Sequence, residues 1–292
     1  MSDGLIEAIL AFLGGAHGQL PMEDVRGLLE REIDRAGADA VLALKANLSA
    51  DTGWDYYPRD PLAQRIHHLL ATRFLADGSA AVNAGILSSL DGAPVVIVAN
   101  HLSYSDANAI EMLLQRAGAS AVANRLTAVA GPKVFTSRER RFSSLCFGTI
   151  KVPQSAEVSS GEAMLDARQV ARAARRAIEV AHQRLAAGDV LLLFPEGTRS
   201  RTGEMQPMLP AVARYLETPG IRIVPAGLTG SEALFPVDGG LRAARVTVRF
   251  GDPIRMDALL AEHGRDRRAV MDAVGHAVAD LLPAPYRGVY SR

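Results

Sequence analysis

Cysteine is nearly missing from this chain: Cys146 is the only one among 292 residues. That excludes a disulfide framework and a cysteine-based zinc site, and it suits a reducing compartment. Cys146 stands between Leu145 and Phe147, flanks that fit packing better than a reactive thiolate. An excess of charge of either sign is also missing, with 32 Lys and Arg against 32 Asp and Glu, so no global attraction to nucleic acid is built in. Nowhere do roughly 18 apolar residues run together, the length a spanning helix requires. The stretch Gly4 to Gly14 is mostly apolar but short, is broken by Glu7 and has no basic region ahead of it, so no secretory signal is expected. If a membrane matters, the expectation is peripheral contact from the cytoplasm rather than crossing. No Gly-x-Ser-x-Gly elbow is present, which weakens a serine-hydrolase reading. Nor is there a Gly-x-Gly-x-x-Gly or a Walker lysine motif, so nucleotide-dependent chemistry lacks support. No cofactor and no metal is expected.

What remains is enough chain to bury a full core. Residues 1–80 read as a helical N-terminal region: Leu5, Ile6, Ile9, Leu10 and Leu13 lie at helical spacing, as do Val25, Leu28, Leu29 and Ile33, then Ile66, Leu69, Leu70 and Phe74. Pro21 and residues 51–61 interrupt them. Trp54, Tyr56 and Tyr57 in that break suit packing against the following domain, with a place at a membrane interface as the alternative. Residues 81–292 read as an α/β domain. Strands are expected at 94–99, 126–130, 149–152, 189–194, 221–228 and 244–250, and helices at 105–117, 162–187, 208–217, 256–262 and 267–282. That alternation predicts a mixed, largely parallel sheet flanked by helices.

The helix at 162–187 is expected to open on a Ser159/Glu162 capping box and to stop at Gly188. Arg168, Arg172, Arg175 and Arg176 fall on a face away from its apolar stripe. They form either a solvated face, partly neutralised by Asp166 and Glu179, or a landing surface for an acidic carrier protein or anionic headgroups.

Two strand ends carry the chemistry. Pro94-Val95-Val96-Ile97-Val98-Ala99 leads straight into Asn100-His101-Leu102-Ser103-Tyr104-Ser105-Asp106. A histidine at the C-terminal edge of an open sheet sits where such sheets present residues to ligands. A carboxylate five residues on can fix its tautomer, leaving Nε2 as a base; the competing reading makes Ser103 or Ser105 a helix cap and Asp106 a first-turn acid. The second run, Asp189-Val190-Leu191-Leu192-Leu193-Phe194, leads into Pro195-Glu196-Gly197-Thr198-Arg199-Ser200-Arg201. Two guanidinium groups in one loop can grip a phosphate or carboxylate, Gly197 permits close backbone approach, and Glu196 is expected to pair with an arginine or an acceptor hydroxyl. A purely structural Glu–Arg pair is the competing reading. A base beside an anion clamp suits deprotonating an alcohol on a phosphorylated small molecule.

Asn100-His101 with Asp106 resembles the histidine-four-residues-aspartate motif of the glycerolipid acyltransferases. Phe194 to Arg201 is similar to that family's second signature, Ile223-Val224-Pro225-Ala226-Gly227-Leu228 to its later apolar block, and Gly251-Asp252-Pro253-Ile254 to the turn after its last strand. The resemblance implies acyl transfer from an acyl-CoA or acyl-carrier-protein thioester to a hydroxyl of glycerol 3-phosphate or 1-acylglycerol 3-phosphate, in phospholipid biosynthesis. It makes His101 the base and Asp106 its orienter. Arg199 and Arg201 hold the phosphate, with Glu196, Gly197 and Thr198 shaping the acceptor site. One block departs: Gly148-Thr149-Ile150-Lys151-Val152-Pro153-Gln154 has Gln154 where the family has a basic residue. Lys151 is counted with the substrate-binding residues although it alternates to the strand's other face, and Lys133, Arg138, Arg140 and Arg141 just upstream are the other basic groups that could supply the charge. The departure leaves two alternatives standing: a different lyso-lipid acceptor, amino-acid-based or glycosylated, and a non-catalytic lipid- or carrier-binding protein on the same fold.

Overall fold

Val95–Ala99 is buried at all five positions, the pattern of a strand covered on both faces of its sheet. The computed structural model of the chain describes residues 3–14, 22–50, 53–90, 92–135, 138–153, 166–234, 236 and 242–291. Its strands are β1 (Tyr56–Tyr57), β2 (Ala80–Val82), β3 (Val95–Ala99), β4 (Leu126–Ala130), β5 (Gly148–Lys151), β6 (Val190–Leu193), β7 (Arg222–Thr229), β8 (Thr247–Phe250) and β9 (Ile254–Arg255). Before residue 80 stand helices α1 (Asp3–Gly14), α2 (Met22–Ala36), α3 (Ala38–Ser49) and α4 (Pro61–Phe74). The later helices are α5 (Gly85–Ser88), α6 (Asp106–Arg116), α7 (Ser120–Ala123), α8 (Arg138–Ser144), α9 (Ala167–Ala186), α10 (Ser231–Leu234), α11 (Met256–His263) and α12 (Arg267–Ala279).

The strands lie in the order β1-β5-β4-β6-β3-β7-β8-β2, with β9 also on β7. From β5 to β7 all neighbours are parallel; β1 and β8 run antiparallel to their partners β5 and β7. This is the mixed, largely parallel sheet flanked by helices, preceded by helices, that the alternating pattern predicts.

Successive side chains of β3 divide between two cores, as the two-residue period of a strand requires. Val95, Ile97 and Ala99 join a core that includes Leu29, Leu44, Ile66 and Leu113 from α2, α3, α4 and α6. Val96 and Val98 join the opposite one, with Val180 of α9 and Val274 of α12. The helices before residue 80 thus share an apolar core with one face of the sheet. Helix α4 is well started: Asp60 accepts from the N–H groups of Leu62 and Ala63, at 2.9 and 3.0 Å, and Pro61 takes the first helical position, where a missing N–H costs nothing.

Several expectations are corrected. The long helix α9 begins at Ala167, and its capping box is Asp166 with Gln169; Ser159 and Glu162 lie outside the described residues. Its stop is as expected, at Gly188 with φ +90°. The helix expected at 208–217 is a 3₁₀ helix, Pro210–Leu216. The strand expected to open at 244 opens at Thr247, Ala244 making an isolated bridge to Leu75. Tyr56 and Tyr57 pair with Ile150 and Thr149 as an edge strand, so that segment packs onto the sheet. On α9, Arg168, Arg172 and Arg175 are exposed, while Arg176 pairs with Asp55 at 2.9 Å. Among the described residues no helix is long and apolar enough to cross a membrane.

Candidate active site

Strands β3 and β6 are adjacent and parallel, Val98 standing opposite Leu193. The segments Asn100-His101 and Phe194-Pro195-Glu196 therefore leave the same edge of the sheet side by side, although 95 residues separate His101 from Glu196. Asn100 fastens that edge to the next strand. Its amide donates to the carbonyl of Leu228 at 3.0 Å and accepts from the Leu228 N–H at 2.7 Å.

His101 Nδ1 lies 2.8 Å from Asp106 Oδ2. The same oxygen accepts from the N–H groups of Leu102 and Ser103, at 2.7 and 2.9 Å. Asp106 is fully buried, whereas the His101 side chain is 18% exposed, enough for a ligand to reach the ring. A carboxylate fixed by two backbone donors holds Nδ1 as the protonated nitrogen and leaves Nε2 with its lone pair. Phe194 stacks on the imidazole, ring centroids 4.5 Å apart. The helix-cap alternative is corrected in part: Ser105 occupies the cap position but makes no side-chain cap bond, and Asp106, in the first turn of α6, turns back to the loop before it.

Glu196 is also buried, and its role differs from the expected arginine partner. Oε1 accepts from His101 N–H at 2.8 Å and Oε2 from Gln206 N–H at 2.7 Å. Burial pushes its carboxyl up to about 7, against those two bonds and the nearby His101, which favour the charged form. Ser200 N–H donates to the His101 carbonyl at 2.7 Å. The two motifs are thus stitched together backbone to side chain and backbone to backbone. Between them Gly197 adopts φ +72°, and a Cβ there would lie 2.6 Å from Leu209 Cδ1.

Thr198 is exposed and Arg199 half-buried, the Arg199 guanidinium lying 4.3 Å from the centre of the Tyr104 ring. Arg201 lines a cavity of about 400 Å³ together with Leu102, Thr202, Glu232 and Tyr286. Leu102, which lines this cavity, follows His101 directly in the chain. Tyr286 donates to Glu232 Oε1 at 2.5 Å, and Glu232 Oε2 is buried with no hydrogen-bond partner among the described residues.

Lys151 is not brought to this group. Its strand is three places from β3, about 14 Å at ordinary strand spacing, and its ammonium sits 4.8 Å from the Trp54 ring centre and 5.1 Å from that of Phe135. Arg141 turns the other way, donating to the carbonyl of Ala50. Gln154 and the side chains of Arg138 and Arg140 lie outside the described residues. Tyr104, Glu232 and Tyr286 were not legible as site residues. Tyr104 stood inside the first motif without a spacing rule to mark it, and the other two come from distant segments that only the fold brings in.

Set against known proteins, the sequence model of the acyltransferase family matches residues 78–229, a little over half of the chain. The crystal structure of the 1-acyl-sn-glycerophosphate (LPA) acyltransferase PlsC from Thermotoga maritima is similar at 16% sequence identity and a TM-score of 0.45, covering 87% of this chain and 88% of that one. No curated protein sequence matches.

Proposed function

The chain belongs to the acyltransferase family, and from that premise we propose that it moves a fatty acyl group from a CoA or acyl-carrier-protein thioester to a hydroxyl of glycerol 3-phosphate or 1-acylglycerol 3-phosphate, with His101 as general base. The observation that carries the reading is the 2.8 Å contact between His101 Nδ1 and the buried Asp106, because it leaves Nε2 able to accept a proton. The acceptor hydroxyl gives its proton to Nε2 as its oxygen attacks the thioester carbonyl. The resulting imidazolium is steadied by Asp106. When the C–S bond breaks, the departing thiolate takes the proton from Nε2 and the base is restored. Attack is direct, with no acyl-enzyme. Backbone amides at the strand ends steady the oxyanion, in the way preorganised donors do where charge develops. Arg201, in the cavity beside Leu102, and Arg199, in the same loop, hold the acceptor phosphate, while Glu196 acts through the backbone it clamps.

A second reading has its own observation. The carboxylate of Glu232 shares the Arg201 cavity and keeps one oxygen without a hydrogen-bond partner among the described residues, which favours a headgroup that offers a donor, such as the amino group of an amino-acid-based lyso-lipid. Thioester release should be measured with acyl-CoA and with acyl-carrier donors, against glycerol 3-phosphate, 1-acylglycerol 3-phosphate and an amino-acid-based lyso-lipid. Release that depends on a glycerol-phosphate acceptor is expected. Release with the amino-lipid alone would select the second reading, and no acceptor-dependent release with any pair would contradict both.

A further inference from the structure

Consecutive residues on a helix point about 100° apart, so a pair of neighbouring histidines rarely meets one target. On α4, His67 and His68 do. His67 Nε2 lies 3.1 Å from Glu111 Oε2 on α6, and His68 Nε2 lies 2.9 and 3.0 Å from the two oxygens of the same carboxylate. The three groups offer ligand atoms that all fall within 4.8 Å of one another.

Glu111 is fully buried, and among the described residues its only ionic partners are these two imidazoles, which carry a full charge only when protonated. A buried charge is ordinarily matched by a fixed cation or by a metal. Two imidazole nitrogens and one carboxylate are the donor set that suits zinc and its neighbours among the divalent transition metals. Two ligand atoms each about 2.1 Å from one ion stand roughly 3.0–3.4 Å apart, so the imidazole–carboxylate separations need to open by only tenths of an ångström, while the widest separation in the trio, within 4.8 Å, is the one that a bound ion would draw in.

A supporting layer surrounds the three groups. Gln115 Nε2 donates to Glu111 Oε1 at 3.0 Å and Gln64 Nε2 at 3.3 Å, and both amides also reach Asn124 Oδ1, at 3.0 and 3.4 Å. Hydrogen bonds of this kind orient a ligating carboxylate. His67 is buried, but the His68 side chain is 31% exposed, which provides a route for an ion and leaves room for water in the remaining coordination positions.

We propose that His67, His68 and Glu111 form a site for one divalent transition-metal ion of the zinc class, joining α4 to α6. Each neutral ring would bind through Nε2 and carry its proton on Nδ1. Because α6 begins at Asp106, an ion at Glu111 braces the helix that presents the carboxylate behind His101, from a position separate from the Arg201 cavity. The ion is structural in this arrangement and takes no part in the acyl transfer.

The test is to strip the full chain with a chelator, titrate it with Zn²⁺ alone by calorimetry and with Co²⁺ alone by visible absorption, and repeat both with His68→Ala, Glu111→Gln and His263→Ala. One ion per chain is expected, with affinity at least about 100-fold weaker in His68→Ala and Glu111→Gln and unchanged in His263→Ala. Zn²⁺ should raise the melting temperature of the wild type and of His263→Ala only. His68→Ala removes a partly exposed ring, and circular dichroism confirms that each variant is folded before it is titrated. Absence of stoichiometric binding by the wild type overturns the proposal, as does binding that His68→Ala leaves unaltered.

Discussion

Glu196 spends both carboxylate oxygens on backbone N–H groups, one from each side of the site, and does so in a place that water hardly reaches. The two demands oppose each other, since the hydrogen bonds favour the anion and the burial disfavours it. Burial prevails, raising the carboxyl from 4.5 to about 7. The sign for stability follows from the protons each state holds. Between pH 4.5 and 7 the unfolded chain releases this proton while the folded chain keeps it, so protonation favours folding. The contribution is greatest below pH 4.5 and is lost as pH rises to 7, by up to about 3 kcal/mol. In Glu196→Gln that dependence is absent. The variant forfeits one N–H bond, about 1–3 kcal/mol, but its deficit against wild type should shrink by up to about 3 kcal/mol between pH 4.5 and 7.5 in urea unfolding. A deficit that does not change with pH would contradict this role. At the same scale the sequence was a good guide to what stands at each strand end and a poor one to what each side chain touches. His101 and Asp106 meet as their five-residue spacing suggested. Glu196 meets two backbone N–H groups rather than an arginine among the described residues, which satisfies both oxygens of a buried carboxyl.

At the scale of elements, the turn after β6 is the piece the site depends on. Gly197 holds φ +72° with Leu209 Cδ1 2.6 Å from where a Cβ would stand. Gly197→Ala should cost about 1–2 kcal/mol for the left-handed backbone and more for the contact. Adding Leu209→Ala should return the contact part and leave the backbone part, as denaturant midpoints of the single and double variants will report. Full recovery in the double variant, or no loss in the single one, would contradict a left-handed, closely packed Gly197. Strands of four or more residues were readable from their apolar runs, whereas β1, β2 and β9 are two or three residues long, too short to show a period. The start of α9 was misplaced because Ser159 and Glu162 have a capping-box spacing, and so do Asp166 and Gln169, which form one.

For the whole molecule, the decisive fact is the strand order. β3 and β6 are neighbours because β4 and β5 are laid on the far side of β6, a crossover that no local pattern encodes. The alternation of elements was enough to expect a largely parallel sheet, and two motifs at two strand ends were enough to expect one site, but their adjacency is a property of the fold. The same holds for the cavity at Arg201, which takes Glu232 and Tyr286 from late in the chain, and for the meeting of α4 with α6 at Glu111. The core continues from Leu29 and Leu44 through Ile97 to Leu113, so the early helices and the sheet that supports His101 share one interior.

Acyl transfer as proposed requires this interior to hold His101 as a base, with Nδ1 on Asp106 and Nε2 open to the acceptor. The most direct measurement is acceptor-dependent thioester release by His101→Ala beside the wild type, at matched circular dichroism and melting temperature. A loss in kcat/KM of at least about 100-fold is expected, as for a positioned general base, with fold and stability retained. A folded His101→Ala protein that turns over within a few-fold of wild type would contradict it.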